Sequence, residues 1–113
     1  MTTYEMLEKI FEDLKQQILA DEAQANIFSE SLLRAKIDRA YREVKRARNY
    51  PKHYAESWIE EDMLNYYSNI EAIAEYDYGS VGAEGMSSYS SDGTSIHYKN
   101  RNELFSGVYP ISR

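Results

Sequence analysis

Apolar residues recur at steps of three and four along the first 78 positions and lose that period afterwards, which predicts helices followed by an extension of different character. Thr2 followed by Glu5 has the spacing of a capping box, and Tyr4, Leu7, Phe11, Leu14 and Ile18 then fall on one helical face, predicting an amphipathic helix over about 3 to 20. Asp21 with Gln24 offers a second cap before a short turn. The apolar phase breaks at Glu30 and Ser31 and restarts from Ser29, giving a long second helix with the stripe Leu33, Ile37, Ala40, Tyr41 and Val44. Lys45, Arg46 and Arg48 sit in its last turns, where cations suit the carbonyl end of the helix dipole. Asn49, Tyr50 and Pro51 end it, because the residue before a proline is pushed out of the helical region.

A third helix is expected to begin between 52 and 56. Its stripe is Ile59, Met63, Tyr66, Ile70, Ile73, Ala74 and Asp77, running to Tyr78, with Gly79 as the left-handed residue past its end. At ~1.5 Å per residue, about 24 residues span roughly 36 Å, more than a core this small can cover. Part of this helix is therefore expected to meet water or another chain, and the rings of Trp58, Tyr66, Tyr67, Tyr76 and Tyr78 favour another chain.

From Gly79 onward, glycines and then serines replace the helical pattern. Asp92-Gly93 signals a hairpin over about 87 to 98 that would set Tyr89 opposite Ile96 and Ser87 opposite Tyr98. Two strands alone are marginal, so the hairpin needs the helices or a neighbour's strands. Asn100 with Glu103 caps one last helical turn over about 101 to 106, stopped by Gly107. Val108, Tyr109, Pro110 and Ile111 then read as an extended apolar docking tail with nothing of its own to bury against. The expected fold is all-α: a bundle of three main helices plus a short one over residues 1 to 78, and a C-terminal extension, 79 to 113, containing the hairpin and the tail.

At 113 residues this is one small domain, and eleven tyrosines in a chain 42% hydrophobic argue for a packed structure with rings available for half-wet contacts. The formal charge of −6 is unevenly spread. Residues 1 to 33 carry seven acids and two bases, 34 to 53 two acids and eight bases, and 54 to 84 eight acids and no base. Such banding suits attraction between opposite faces of neighbouring copies, and it suits pairing of adjacent helices within one chain equally well. No cysteine is present, which removes disulfides, thiolate nucleophiles and Cys-type zinc sites and suits a reducing cytoplasm. The N-terminus reads as no signal peptide, no apolar run is long enough to span a membrane, and the expectation is a soluble protein made in the cytoplasm.

Catalytic chemistry finds no footing. The two histidines, His53 and His97, sit in unrelated contexts, no nucleophile elbow or phosphate loop occurs, and consecutive Glu60, Glu61 and Asp62 fan out about 100° apart on a helix. No cofactor and no metal site is expected, and the chain reads as a non-enzyme. The basic helix is the one rival feature: Arg39, Arg42 and Arg46 share a face and could neutralise phosphates, which would make the chain a small helical nucleic-acid-binding regulator. Its acidic neighbours and a pI near 4.9 weigh against free duplex binding.

The C-terminal half resembles the phage and prophage head-tail connector proteins, also called head-completion, adaptor or DNA-packaging connector proteins. The residues that carry the resemblance are, in order, Tyr50-Pro51, Tyr76-Asp77-Tyr78, Gly82-Ala83-Glu84-Gly85, Ser91-Asp92-Gly93, Ile96-His97-Tyr98 and Leu104-Phe105-Ser106-Gly107-Val108. They cover roughly residues 50 to 110, and their order and spacing carry the likeness more than any one piece. The resemblance implies a virion protein at the portal vertex, assembled in the bacterial cytoplasm as a homo-oligomeric ring of about twelve copies. It would sit between the portal protein and a stopper or tail-completion protein and extend the DNA channel, with non-specific contact to DNA and none to a membrane. On that reading Tyr66, Tyr67, Tyr89, Ile96 and Tyr98 are subunit-interface candidates. Val108, Tyr109, Pro110 and Ile111 dock on the portal, and Arg39, Arg42 and Arg46 face the channel.

Overall fold

The computed structural model describes residues 1–81 and 100–111. Five α-helices occur there: α1 (Thr3–Leu19), α2 (Glu22–Asn26), α3 (Glu30–Arg48), α4 (Glu56–Met63) and α5 (Tyr67–Val81). Short 3-10 turns cover Leu64–Tyr66 and Arg101–Phe105, and the described residues contain no strand. The all-α reading therefore holds for them. The proposed hairpin, with Tyr89, Ile96 and Tyr98, lies outside the described residues.

Helices α1, α2 and α3 each begin where a side chain can satisfy free N–H groups, whereas α4 starts after Ala55 without a side-chain cap. Thr2 Oγ1 accepts from Glu5 N at 3.1 Å and the Glu5 carboxylate accepts from Thr2 N at 2.8 Å, completing the capping box of α1. Glu60, on α4, accepts the next free donor, Thr3 N, at 2.8 Å, so an acid of one helix caps another. Asp21 Oδ1 accepts from Ala23 N and Gln24 N at the start of α2, and Ser29 Oγ accepts from Leu32 N at the start of α3. Asn49 closes α3 in the left-handed region at φ 50°, which asparagine adopts at lower cost than most residues.

Helices α1, α3 and α5 pack pairwise around one core. Its fully buried members include Met6, Ile10, Phe11 and Leu14 from α1, Leu33 and Val44 from α3, Met63 from α4, and Ile70 and Ile73 from α5. The buried arc of α1 is turned from the expected stripe, with Met6 and Ile10 at its centre while Tyr4 is 72% exposed. The cause is that α1 covers a seam between two helices, so the residues over the seam are buried and those beside it are not.

The expected single third helix is instead α4, a tightened turn and α5. A 3-10 turn advances ~120° per residue where an α-helix advances ~100°, so three such residues rotate α5 by roughly 60° relative to an unbroken helix. Ile59 and Met63 on one side of the turn and Ile70, Ile73, Ala74 and Tyr78 on the other all reach the core in that geometry. Gly79 does not end the helix; α5 continues to Val81. The Ser80 hydroxyl donates to Tyr76 O at 2.8 Å, and the Tyr78 hydroxyl accepts Ser29 N at 3.1 Å, tying the end of α5 to the start of α3.

Asn100 caps the turn Arg101–Phe105 through Asn102 N, and Gly107 stops it at φ 88°, a conformation that favours glycine. The chain then lies back on the bundle. Val108 is buried in the same core, and Leu104 and Phe105 pack against it. The expectation of a tail with nothing of its own chain to cover is corrected at this residue.

Candidate functional site

The last described segment, 100–111, is held on the bundle at three points. At the first, Arg101 reaches from the turn to two helices, donating to Asp77 at 2.8 and 2.7 Å and to Glu43 at 3.1 and 2.8 Å. At the second, Asn69 Nδ2 donates to Leu104 O at 2.8 Å and Ser106 O at 3.0 Å. At the third, Arg48 Nη1 donates to Tyr109 O at 2.8 Å, and Ile111 N donates to Arg48 O at 2.7 Å.

Arg48 is the centre of the third point. It lies four residues beyond Val44 on the apolar stripe of α3, so the helix carries it into the interior, and its side chain is only 11% exposed. Burial of a guanidinium requires an acid, and Asp62 of α4 accepts from its Nε at 3.0 Å and its Nη2 at 2.7 Å. The Tyr50 hydroxyl donates to the same Asp62 oxygen at 2.6 Å. Burial, together with that carboxylate, pushes the Tyr50 phenol above its ordinary range and keeps it a donor. The guanidinium also lies against the rings of Tyr66 and Tyr50, 5.1 and 5.5 Å from their centroids.

From this node an aromatic edge runs outward. Trp58 meets Tyr50 edge-on at 6.2 Å and Tyr54 at 4.9 Å, and His53 meets Tyr54 at 5.0 Å. Trp58 remains 45% exposed and Tyr109 70% exposed. Tyr54, Ala55 and Trp58 line an open recess of about 330 Å³. Next to it a wider one, about 460 Å³, is lined by Arg42, Lys45, Arg46, Tyr50, Lys52 and Tyr54 among others, and it joins the rings to the basic end of α3.

The structure brings Arg39, Arg42 and Arg46 together on the outward face of α3, where they line one shallow surface with Glu43. Two are paired within the helix, Arg39 with Glu43 at 3.2 Å and Arg42 with Asp38 at 3.0 Å. Among the described residues, Lys45, Arg46 and Lys52 have no carboxylate in ion-pair range. On the far side of the bundle, Asp13 of α1 accepts from the Tyr67 hydroxyl beside Glu71 and Glu75 of α5. Burial and the charges of Asp13 and Glu75 hold the Glu71 carboxyl above its ordinary range.

Of the other residues singled out from sequence, Tyr66 and Tyr67 are half-buried against their own core, Pro110 is exposed and Ile111 half-buried. Sequence reasoning missed the Arg48–Asp62–Tyr50 node and the Arg101 clamp. The signal for the first was the position of Arg48 on the apolar stripe. For the second it was Asp77, an acid on the buried stripe of α5 that needed a cation. Nothing in the pattern pointed to Asn69.

Among the described residues no group of three or more His, Asp or Glu is arranged to hold a metal, and no helix is long and apolar enough to cross a membrane. No protein-family model, no curated protein and no solved structure matches the chain.

Proposed function

We propose that this chain is a structural head-tail connector of a tailed bacteriophage or prophage, a non-enzymatic subunit that assembles as a ring on the portal, extends the DNA channel and carries the next component. The supporting observation is the aromatic edge built around Arg48. Trp58 and Tyr109 leave large rings in water beside the Arg48 node, which a partner surface could cover. Rings that are apolar in body and polar at the tip suit contacts that form late and stay partly wet. The resemblance of residues 50 to 110 to the connector proteins supplies the identity of the partner.

In this reading the mechanism is geometric. A bundle tied together by buried ion pairs resists deformation, the C-terminal segment offers Tyr109 and Pro110 to the portal, and the outward face of α3 turns toward passing DNA. The charge of that face suits a channel wall. Arg39 and Arg42 are partly neutralised by Glu43 and Asp38, which favours weak, non-specific contact over a grip that would stall movement.

The test is light scattering after size exclusion, on the protein alone and mixed with the portal protein of the same phage. A ring on the portal is expected. Replacing Tyr109 and Ile111 with serine removes portal capture while the far-UV helical signal stays, because the tail's hydrogen bonds to Arg48 use main-chain atoms. Unchanged capture refutes the tail assignment. A wild-type chain that ignores the portal and binds duplex DNA with a steep salt dependence would make it a nucleic-acid-binding regulator instead.

A further inference from the structure

The helices α1, α3 and α5 each pack on the other two, so the outward face of α3 and the outer side of the α1–α5 seam lie on opposite sides of the bundle. These two surfaces carry opposite charge. On the first, Lys45, Arg46 and Lys52, without ion-pair partners among the described residues, line a recess together with Tyr54 and the single acid Glu56, next to the recess of Tyr54 and Trp58. On the second, Asp13, Glu71 and Glu75 stand together, and no lysine or arginine among the described residues pairs with any of them. Tyr67 donates to Asp13, and Glu71 and Glu75 follow Tyr67 at one and two turns along α5, so the three acids share this side of the seam.

Other parts of the chain close several ion pairs of their own, Arg34 with Glu8 and Glu30, Arg48 with Asp62, and Arg101 with Asp77 and Glu43, while Lys9, Lys15 and Lys36 are further lysines without a carboxylate in ion-pair range among the described residues. The two leftover surfaces cannot meet within one copy, because the bundle stands between them. A second copy can bring them together.

We infer that the basic–aromatic corner of one copy, Lys45, Arg46 and Lys52 beside Trp58, seats the acidic α1–α5 seam, Asp13, Glu71 and Glu75, of a second copy. The contact joins two different surfaces, so each copy has one of each to spare and the same contact repeats from copy to copy. Such a heterologous contact closes into a ring when its rotation divides a full turn. Exposed ion pairs add little by themselves, and Trp58 with Tyr54 supplies the apolar area that gives the contact strength. The assignment rests on the ring-forming part of the proposed function and names the surfaces that form the ring.

A charge swap on the full chain tests it. One variant carries K45E, R46E and K52E; the other carries E71K and E75K. In sedimentation velocity at low salt and high protein concentration, the wild type associates and loses that association as salt is raised. Each variant alone presents two surfaces of like charge and is expected to lose affinity for itself by at least about tenfold. An equal mixture restores association, since the reversed corner of one variant fits the reversed seam of the other and their unreversed surfaces fit each other as in the wild type. Where a triple or double variant lost its helical signal, the neutral changes R46Q and E75Q, both at exposed positions, serve in its place and are expected to weaken association several-fold. Wild-type association that neither reversal weakens, a mixture that fails to restore it, or a chain that stays monomeric while binding DNA through Lys45 and Arg46 overturns the proposal. Portal capture separates this outcome from the wider reading: rings formed on the portal by either variant alone remove this interface and keep the connector, whereas a wild type that self-associates by charge but ignores the portal keeps the interface and removes the connector.

Discussion

Replacing Arg48 with leucine isolates the worth of the buried ion pair from that of the stripe it sits on. Leucine suits the position, four residues beyond Val44 on the core face of α3, so little packing is lost. What disappears is two charge-assisted hydrogen bonds to Asp62 and one to Tyr109 O. Asp62, 14% exposed, keeps only the Tyr50 hydroxyl among these partners and becomes a nearly buried charge without a counter-ion. Breaking such a pair costs ~3–5 kcal/mol, and because water can reach the edge of this one the expected loss is about 3 kcal/mol, roughly a hundredfold in the folding equilibrium. Urea unfolding followed by far-UV circular dichroism and by Trp58 fluorescence measures it, since that indole meets Tyr50 and Tyr54 edge-on. Removing Asp62 as well, in Arg48→Leu with Asp62→Leu, relieves the stranded charge and is expected to show a coupling of about 2 kcal/mol. A loss under about 1 kcal/mol for Arg48→Leu, or additive effects in the pair, would refute the view that this node holds α3, α4 and the tail together.

Two further outcomes follow from other parts of the fold. Arg101→Ala leaves Asp77 and Glu43 facing each other without their shared cation, and about 1–3 kcal/mol should be lost, with amide exchange rising first in residues 100–111 while α1 stays protected. Glu71 has a folded-state affinity for its proton above the unfolded value, so it contributes nothing below the ordinary carboxylate range and weakens the fold as pH rises through the raised value. Glu71→Gln should therefore stabilise the protein at neutral pH and make no difference at acid pH, which paired thermal melts at the two pH values would check.

The helical framework was largely legible in the sequence because its signals are local. Thr2 with Glu5, Asp21 with Gln24, Ser29 and Asn49 mark helix boundaries by hydrogen bonds that span a few residues, and the stripe from Leu33 to Val44 follows from period alone. The turn at Leu64–Tyr66 was not legible, since a change of roughly 20° per residue leaves the apolar spacing intact. The rotation of the buried arc of α1 depends on which two helices it covers, a tertiary fact. The candidate site divides the same way. Arg39, Arg42 and Arg46 were placed together by helical spacing, whereas the meeting of Arg48 with Asp62, or of Arg101 with Glu43, requires the fold.

Beyond Arg101, the polar grip on the segment that returns along the bundle is on its peptide groups. Asn69 holds the carbonyls of Leu104 and Ser106, Arg48 holds the carbonyl of Tyr109, and Ile111 gives its amide to α3. Every residue type has those carbonyls, and every type but proline has that amide. Apart from the Arg101 guanidinium and the apolar groups of Leu104, Phe105 and Val108, the seat is therefore blind to which side chains pass over it. Positions 109 and 110 can change their chemistry to follow a changing partner while the backbone beneath them stays where it is, so the chain keeps one anchorage and leaves its vocabulary open.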